Sequence, residues 1–553
     1  MNKKVCSFPI LFALLALLIG TCAVVFPASA QAAPTSTGSI TVRGTVASSY
    51  DAYQIFSANV VDGDSDAKIA TDLAWASGAV RGAALPVLHS AGMPNSQTAA
   101  QEAAEWLNTD SHLTSALSAQ LARSLQSSGA VSVALNAGTT AELPCGYWLI
   151  VADDDAIAQG EAGTAPIMAL VGGSAVTVKP KAATPKVAKH VLEDSTAAWQ
   201  KAADATVADD LYWRLSATVP AGLTAYDTYT VRFVDTMSAG LDPSKVAASM
   251  RVYVAAGAEG GFDAVVCEGG NASSTPTKGW TDITSQCKVS VEGNAFTVRT
   301  GDLVAALGGT DAFTAGARVV AVYNAPLNSA CNHGIAKGNP NEVYLRYPRS
   351  PFADQSGDAG FTRTPSDDAC AYTWDLALTK RGSDGDKPLA GAVLSIADDR
   401  GRTLAADGTW DAESKATVTT GEDGRVTVSG VDSGKLGVRE LKAPKGYTAF
   451  EGTRSVTVKA EGLDVDQVAA AKPKLTITAE SPLRADSADG STGSLEASLI
   501  NTPTGTPPSI TTGGFMPSTG DMAMYAAAAA AVAGAALIVV ALLVKRGGGS
   551  HKE

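Results

Sequence analysis

The chain begins and ends on apolar runs, and between them hydrophobic and polar residues mostly alternate. After Lys3-Lys4 a mainly apolar stretch runs from Phe8 to Val25, followed by Ala28-Ser29-Ala30. A basic start, an apolar middle and a small-residue exit predict a secretory leader over 1–30, with Ala30-Gln31-Ala32 as a second cleavage candidate. Cys22 follows Thr21, a poor setting for lipid attachment. At the far end Met522 to Val544 is long and apolar enough to cross a bilayer as one helix. Lys545-Arg546 behind it would hold that end in the cytoplasm. The helix and its basic stop are assigned to 521–546 and the cytoplasmic tail to 547–553.

The alternating part divides into three units. In the first, 31–180, Gly38 to Gly44 and Tyr147 to Val151 read as strands. Between them lies a helical stretch: Thr98 and Gln101 have capping-box spacing, Leu113, Leu117, Leu121 and Leu125 recur every four residues, and Gly129 ends the run. This unit is therefore expected to be β-rich with one inserted helix. Pro180 and Pro185 mark a linker. In the second unit, 181–350, Leu211–Val219, Tyr229–Val234, Met250–Val254, Ala317–Tyr323 and Glu342–Tyr347 read as strands, which suits a β-sandwich. Residues 351–371 are polar and read as a connector opening the third unit, 351–502. Strands are expected there at Trp374–Thr379, Ala392–Ile396, Val426–Val428, Gly437–Leu441 and Ser455–Lys459. Residues 503–520 begin as a Thr/Pro/Gly stalk that would stand the folded part off the membrane. The expected fold is all-β: tandem immunoglobulin-like sandwiches.

Composition narrows the function. A mature chain of this length needs about three cores. Net charge is −13, which argues against nucleic acid or anionic lipid as a partner. Aromatic residues make up only 6%, favouring small sandwiches over a large aromatic-lined pocket. No GxSxG, HExxH or Cys/His nucleophile pattern occurs, and the chain holds only 5 histidines to serve as bases. No cofactor motif appears. Asp62, Asp64 and Asp66 open like a calcium loop, but Ala67 stands at the glycine position and Leu73 at the bidentate acid, so no metal site is expected. Export permits disulfides. Cys267 with Cys287 brackets a Gly/Ser/Thr-rich loop, and Cys331 with Cys370 would clip one domain to the next, leaving Cys145 over. Spacing alone does not fix the connectivity.

Met516-Pro517-Ser518-Thr519-Gly520, just before the C-terminal apolar run, resembles the LPxTG signal of Gram-positive surface proteins, with Met in place of Leu. The resemblance implies a membrane transpeptidase, sortase, that cuts between Thr519 and Gly520 and joins the Thr carboxyl to an amine, ultimately on peptidoglycan. The third unit resembles the collagen-adhesin B-type domain of Gram-positive pilins. The matching residues are Leu378-Thr379-Lys380, Pro388 to Ala392, Thr420 to Gly424, Gly437 to Glu440, Ala443 to Tyr447 and Ile500-Asn501. This implies an isopeptide bond between Lys380 and Asn501, promoted by Glu440. The second unit resembles the isopeptide-forming middle domain of backbone pilins, through Pro185 to Lys189, Phe233 to Leu241 and Asn341 to Leu345. Lys189, Asp235 and Asn341 then take the same roles, with Lys186 and Asn339 as rivals.

The chemistry is coherent with the residue types. An amine attacks an amide carbon only when unprotonated, and burial favours the neutral amine and the neutral acid alike. Ammonia leaves and the crosslink remains: a single self-modification, without turnover. Backbone pilins also carry a lysine near the end of the first domain that accepts the next subunit's Thr carboxyl. Pro180-Lys181 fits that place, with Lys179 as its rival. The resemblance as a whole implies the shaft subunit of a sortase-assembled pilus, with further copies of itself, tip or basal pilins and the cell wall as partners. A wall-anchored monomeric adhesin or ancillary pilin shares every feature except use of Lys181.

Overall fold

Strands that alternate apolar and polar residues can bury only one face, so they assemble as facing sheets. The computed structural model describes residues 36–505, apart from 45, 65–66, 110–111, 164, 181–183, 265–266, 269–270, 273–275, 354 and 414. These residues form three β-rich domains. Among them no helix is long and apolar enough to cross a membrane. The leader at 1–30 and the apolar run at 522–544 lie outside the described residues.

In the first domain a three-stranded sheet, ordered Thr140–Pro144, Thr37–Val42, Val176–Val178, faces a five-stranded sheet built on the long strand Ser49–Asp62. Three helices, rather than the single one expected, interrupt it: Gly78–Ser90, Ala100–Asn108 and Ser115–Ser127. Ser77 and Thr114 cap the first and third by accepting from Val80 N and Leu117 N. The cap expected at Thr98/Gln101 falls one residue later, where Glu102 Oε2 accepts from Thr98 N and Ala99 N. Leu117, Leu121 and Leu125 are buried in the third helix, while Leu113 precedes it and is exposed. The helices pack on Ile55, Phe56, Leu149 and Val151 of the larger sheet.

The second domain is a larger sandwich. One sheet runs Ala198–Gln200, Lys186–Glu193, Tyr212–Val219, Ala317–Asn324, Arg251–Ala256, Thr281–Asp282. The other runs Ala202–Asp204, Asp367–Tyr372, Asn339–Pro348, Arg232–Met237, Ala295–Arg299, Lys288–Glu292, with Phe361–Arg363 also paired to Asn339–Pro348. Residues 361–372 are thus part of this domain, not a connector, and the domain ends near Tyr372. Their polar composition hides strands whose partners are distant in sequence, Asp367–Tyr372 pairing in parallel with Ala202–Asp204.

The third domain begins at once. Its first strand, Trp374–Gly382, pairs in parallel with its last, Ser494–Pro503, placing Lys380 opposite Leu499 and Gly382 opposite Asn501. A second sheet centred on Gly434–Lys442 covers it. The junction between the second and third domains is tight. Gly334 N donates to Thr373 O (3.0 Å), Ile335 N to Gly490 O (3.1 Å) and Trp374 Nε1 to Asp204 Oδ2 (2.6 Å). Gly334 has φ +76°, and a Cβ there would lie 2.5 Å from Gly493 N, so two glycine backbones meet where no side chain fits.

Candidate functional site

In the second domain, strands from both sheets deliver polar side chains to the middle of an apolar sandwich. Period-two alternation turns Lys189, Val191 and Glu193 inward. From the facing sheet, neighbouring antiparallel strands bring Asp235 and Asn341, which stand opposite Val343 and Met237. Lys189, Asp235 and Asn341 are each 0% exposed. Lys189 Nζ donates to Asp235 Oδ2 and, at 2.9 Å, to Tyr323 Oη. Tyr323 Oη donates to Asp235 Oδ2 (3.1 Å) and accepts from Asn341 Nδ2 (2.8 Å). The Trp213 and Tyr323 rings lie 5.6 and 5.5 Å from the amine.

Burial pushes the Lys189 amine down to about 8 despite the opposing pull of Asp235. The same burial pushes the Asp235 carboxyl up. Both shifts favour a neutral amine beside a neutral acid. Asp235 Oδ1 and Asn341 Oδ1 are buried without hydrogen-bond partners. A proton on Asp235 Oδ1 would turn one of these two acceptors into a donor, the form that polarises an amide carbonyl.

The rivals are placed differently. Lys186 is exposed at the start of its strand. Asn339 is buried but saturated: its Oδ1 accepts from Asn332 N (2.8 Å), and its Nδ2 donates to Asn332 O (2.9 Å) and Ala371 O (3.2 Å). Two residues unseen by sequence reasoning hold the Lys189 backbone. Its N–H donates to Asp367 Oδ2 (2.6 Å), its carbonyl accepts from Lys201 Nζ (2.8 Å), and Lys201 and Asp367 pair with each other. Asp367 lies in the stretch read as connector, so no sequence signal linked it to Lys189.

The third domain repeats the plan with a longer acid. Lys380, Glu440 and Asn501 are 1%, 6% and 2% exposed. Lys380 Nζ donates to Leu499 O (3.1 Å) and lies 3.6 Å from Glu440 Oε1. The same Oε1 accepts from Asn501 Nδ2 (2.9 Å), while Oε2 accepts from Phe450 N (3.1 Å). Burial pushes the Lys380 amine down to about 8. Asn501 Oδ1 is buried without a partner. In each domain, then, an amine, an acid and a primary amide are gathered in a buried core.

In the first domain Lys68 Nζ donates to the Gly172 and Ser174 carbonyls (2.5 and 2.6 Å) and to Asp62 (3.3 Å), none of them an amide side chain. Asp62 is tied to Ser174, and among the described residues no acidic, His or Cys cluster could hold a metal. The expected disulfides are not formed: Cys287, Cys331 and Cys370 are free thiols, as is Cys145. Cys331 packs into the second domain's core and Cys370 into the third's. Cys331 Sγ faces His333 Nε2 at 3.6 Å and Cys370 Sγ faces Ala371 O at 3.7 Å. Cys287 Sγ is turned to Ile283 O (3.3 Å). Lys181 and Met516 to Gly520 lie outside the described residues; Lys179 is exposed.

Residues 375–472 match the family model for SpaA, a prealbumin-like fold domain. The SpaA match contains Lys380 and Glu440 and stops short of Asn501. The chain is also 30% identical over 143 residues to the trypsin-resistant surface T6 protein of Streptococcus pyogenes serotype M6; the alignment spans 24% of this chain and 24% of that relative. Among solved structures, the T6 backbone pilin of serotype M6 S. pyogenes is similar at TM-score 0.46 and 17% identity, covering 85% of this chain and 99% of that one. The major pilin SpaD of Corynebacterium diphtheriae gives 0.42 and 15%, covering 85% and 98%.

Proposed function

We propose that the chain is the structural shaft subunit of a covalently polymerised pilus on a Gram-positive cell surface. In this reading Lys189–Asn341 and Lys380–Asn501 become isopeptide bonds, promoted by Asp235 and Glu440. Sortase joins Thr519 of one subunit to Lys181 of the next and the last subunit to peptidoglycan. The observation that carries the reading is the repeated, buried amine–acid–amide site in two abutting domains. A shaft bears tension along its length, and each bond would tie an early strand to a late one. The SpaA match supports the reading, as does the tail resemblance to a sorting signal. The role is structural, without catalytic turnover.

The test is a denaturing gel of cell-wall extract, probed for this protein, from cells with Lys181 intact and with Lys181→Ala. A ladder that collapses to monomer in the variant is expected. A ladder that survives moves the acceptor, with Lys179 next. A single band in both strains overturns the shaft reading and leaves a wall-anchored monomeric adhesin.

A further inference from the structure

The two sites differ by one methylene in the acid, and the difference leaves work for another group. In the third domain Glu440 Oε1 spans the gap itself, accepting from Asn501 Nδ2 at 2.9 Å and standing 3.6 Å from Lys380 Nζ. In the second domain the shorter Asp235 bonds to Lys189, but the hydrogen-bond partner of Asn341 Nδ2 is Tyr323 Oη (2.8 Å). That hydroxyl also accepts from Lys189 Nζ (2.9 Å) and donates to Asp235 Oδ2 (3.1 Å). It therefore touches the attacking nitrogen, the acid and the leaving nitrogen at once.

We propose that Tyr323 is a catalytic residue of the second-domain crosslink, relaying the proton that Asp235 is too short to deliver. The inference rests on the isopeptide reading above. In the reaction the Lys189 nitrogen forms a bond to Asn341 Cγ, and the bond from Cγ to Nδ2 breaks. The attacking nitrogen loses one proton and the leaving nitrogen gains one, so that ammonia departs. The oxygen between the two nitrogens accepts a proton from one side and gives one to the other, ending as a neutral phenol. Burial holds Tyr323 well above the usual phenol range, so it acts as a hydroxyl rather than a phenolate. Its ring is fixed by edge-on packing against Phe296, with centroids 4.7 Å apart, which keeps the hydroxyl in place.

The experiment uses the chain without residues 1–30 and 521–553. Crosslinking is followed during refolding by intact mass and by peptide mapping, which assigns each lost ammonia to its domain. Tyr323→Phe keeps the ring and its packing. Its second-domain bond is expected to form on the order of 100-fold more slowly, the usual size of a general acid–base contribution. The third-domain bond in the same molecules should form at the wild-type rate, which certifies folding. In Asp235→Glu/Tyr323→Phe the longer acid should recover much of the lost rate. Tyr323→Phe that closes the bond at the wild-type rate overturns the proposal, as does a double variant no faster than Tyr323→Phe. A wild-type chain that loses no ammonia in the second domain overturns the isopeptide reading itself, a distinct result.

Discussion

Asn501→Ala removes the amide that Lys380 would join and opens the covalent loop of the third domain. The loop from Lys380 to Asn501 holds about 120 residues, and closing one of that size lowers the entropy of the unfolded chain by the equivalent of about 5 kcal/mol. The domain spans Trp374 to Pro503, and a domain of this size loses roughly 3–4 °C of melting temperature per kcal/mol. The third-domain transition should therefore fall by about 15–20 °C in differential scanning calorimetry. Replacing a small amide already lacking a partner for its Oδ1 adds little strain of its own. Intact mass must first establish that the variant retains the ammonia the parent loses. A transition unmoved within about 3 °C, in a variant shown to lack the bond, would refute the claim that the crosslink constrains the unfolded chain.

Further outcomes follow from the same geometry. In Asn341→Ala the Lys189 amine stays free, with a folded value of about 8 against 10.5 when exposed. The unfolded chain then binds more protons between those values, so stability should rise with pH from about 8 to 10.5 in urea melts. A crosslinked parent, whose amine has become an amide, should lack that slope. Asp367→Ala would leave Lys201 buried beside an unpaired Lys189 N–H and should cost about 3 kcal/mol by denaturant titration; a loss under about 0.5 kcal/mol would contradict the clasp. Gly334→Ala sets a methyl against the Gly493 backbone and should open the junction near Thr373 to protease; unchanged cleavage would contradict the tight seat. Under force, the second domain should yield about 100 Å before locking, because the roughly 30 residues from Asn341 to Tyr372 lie outside its covalent loop.

That last outcome shows where the sequence could and could not be read. Alternation revealed the central strands, and the ordered motifs singled out Lys189, Asp235, Asn341, Lys380, Glu440 and Asn501, which the fold brings into two clusters. Asn341 was read into a final strand, yet Phe361–Arg363 and Asp367–Tyr372 follow it in the same sheet. Both strands are short; Asp367–Tyr372 opens on two Asp residues, and its pairing with Ala202–Asp204 spans more than 160 residues, beyond the reach of local pattern. Tyr323 sits in an apolar strand, where sequence marks it as one more core aromatic; the structure sets it apart by placing its hydroxyl among Lys189, Asp235 and Asn341. Cysteine spacing gave plausible pairs because it carries no information on which core each thiol enters, and Cys331 and Cys370 enter different ones. The three helices of the first domain merged into one expected segment because only the third carries the four-residue leucine spacing that marked it.

The most direct test of the two buried sites is the intact mass of the chain from residue 31 to 519, compared with Asn341→Ala and Asn501→Ala. The parent should be lighter than its sequence by the mass of two ammonias, and each variant by one. A parent at its full sequence mass would contradict the crosslinks and leave two buried lysines paired with acids but unreacted.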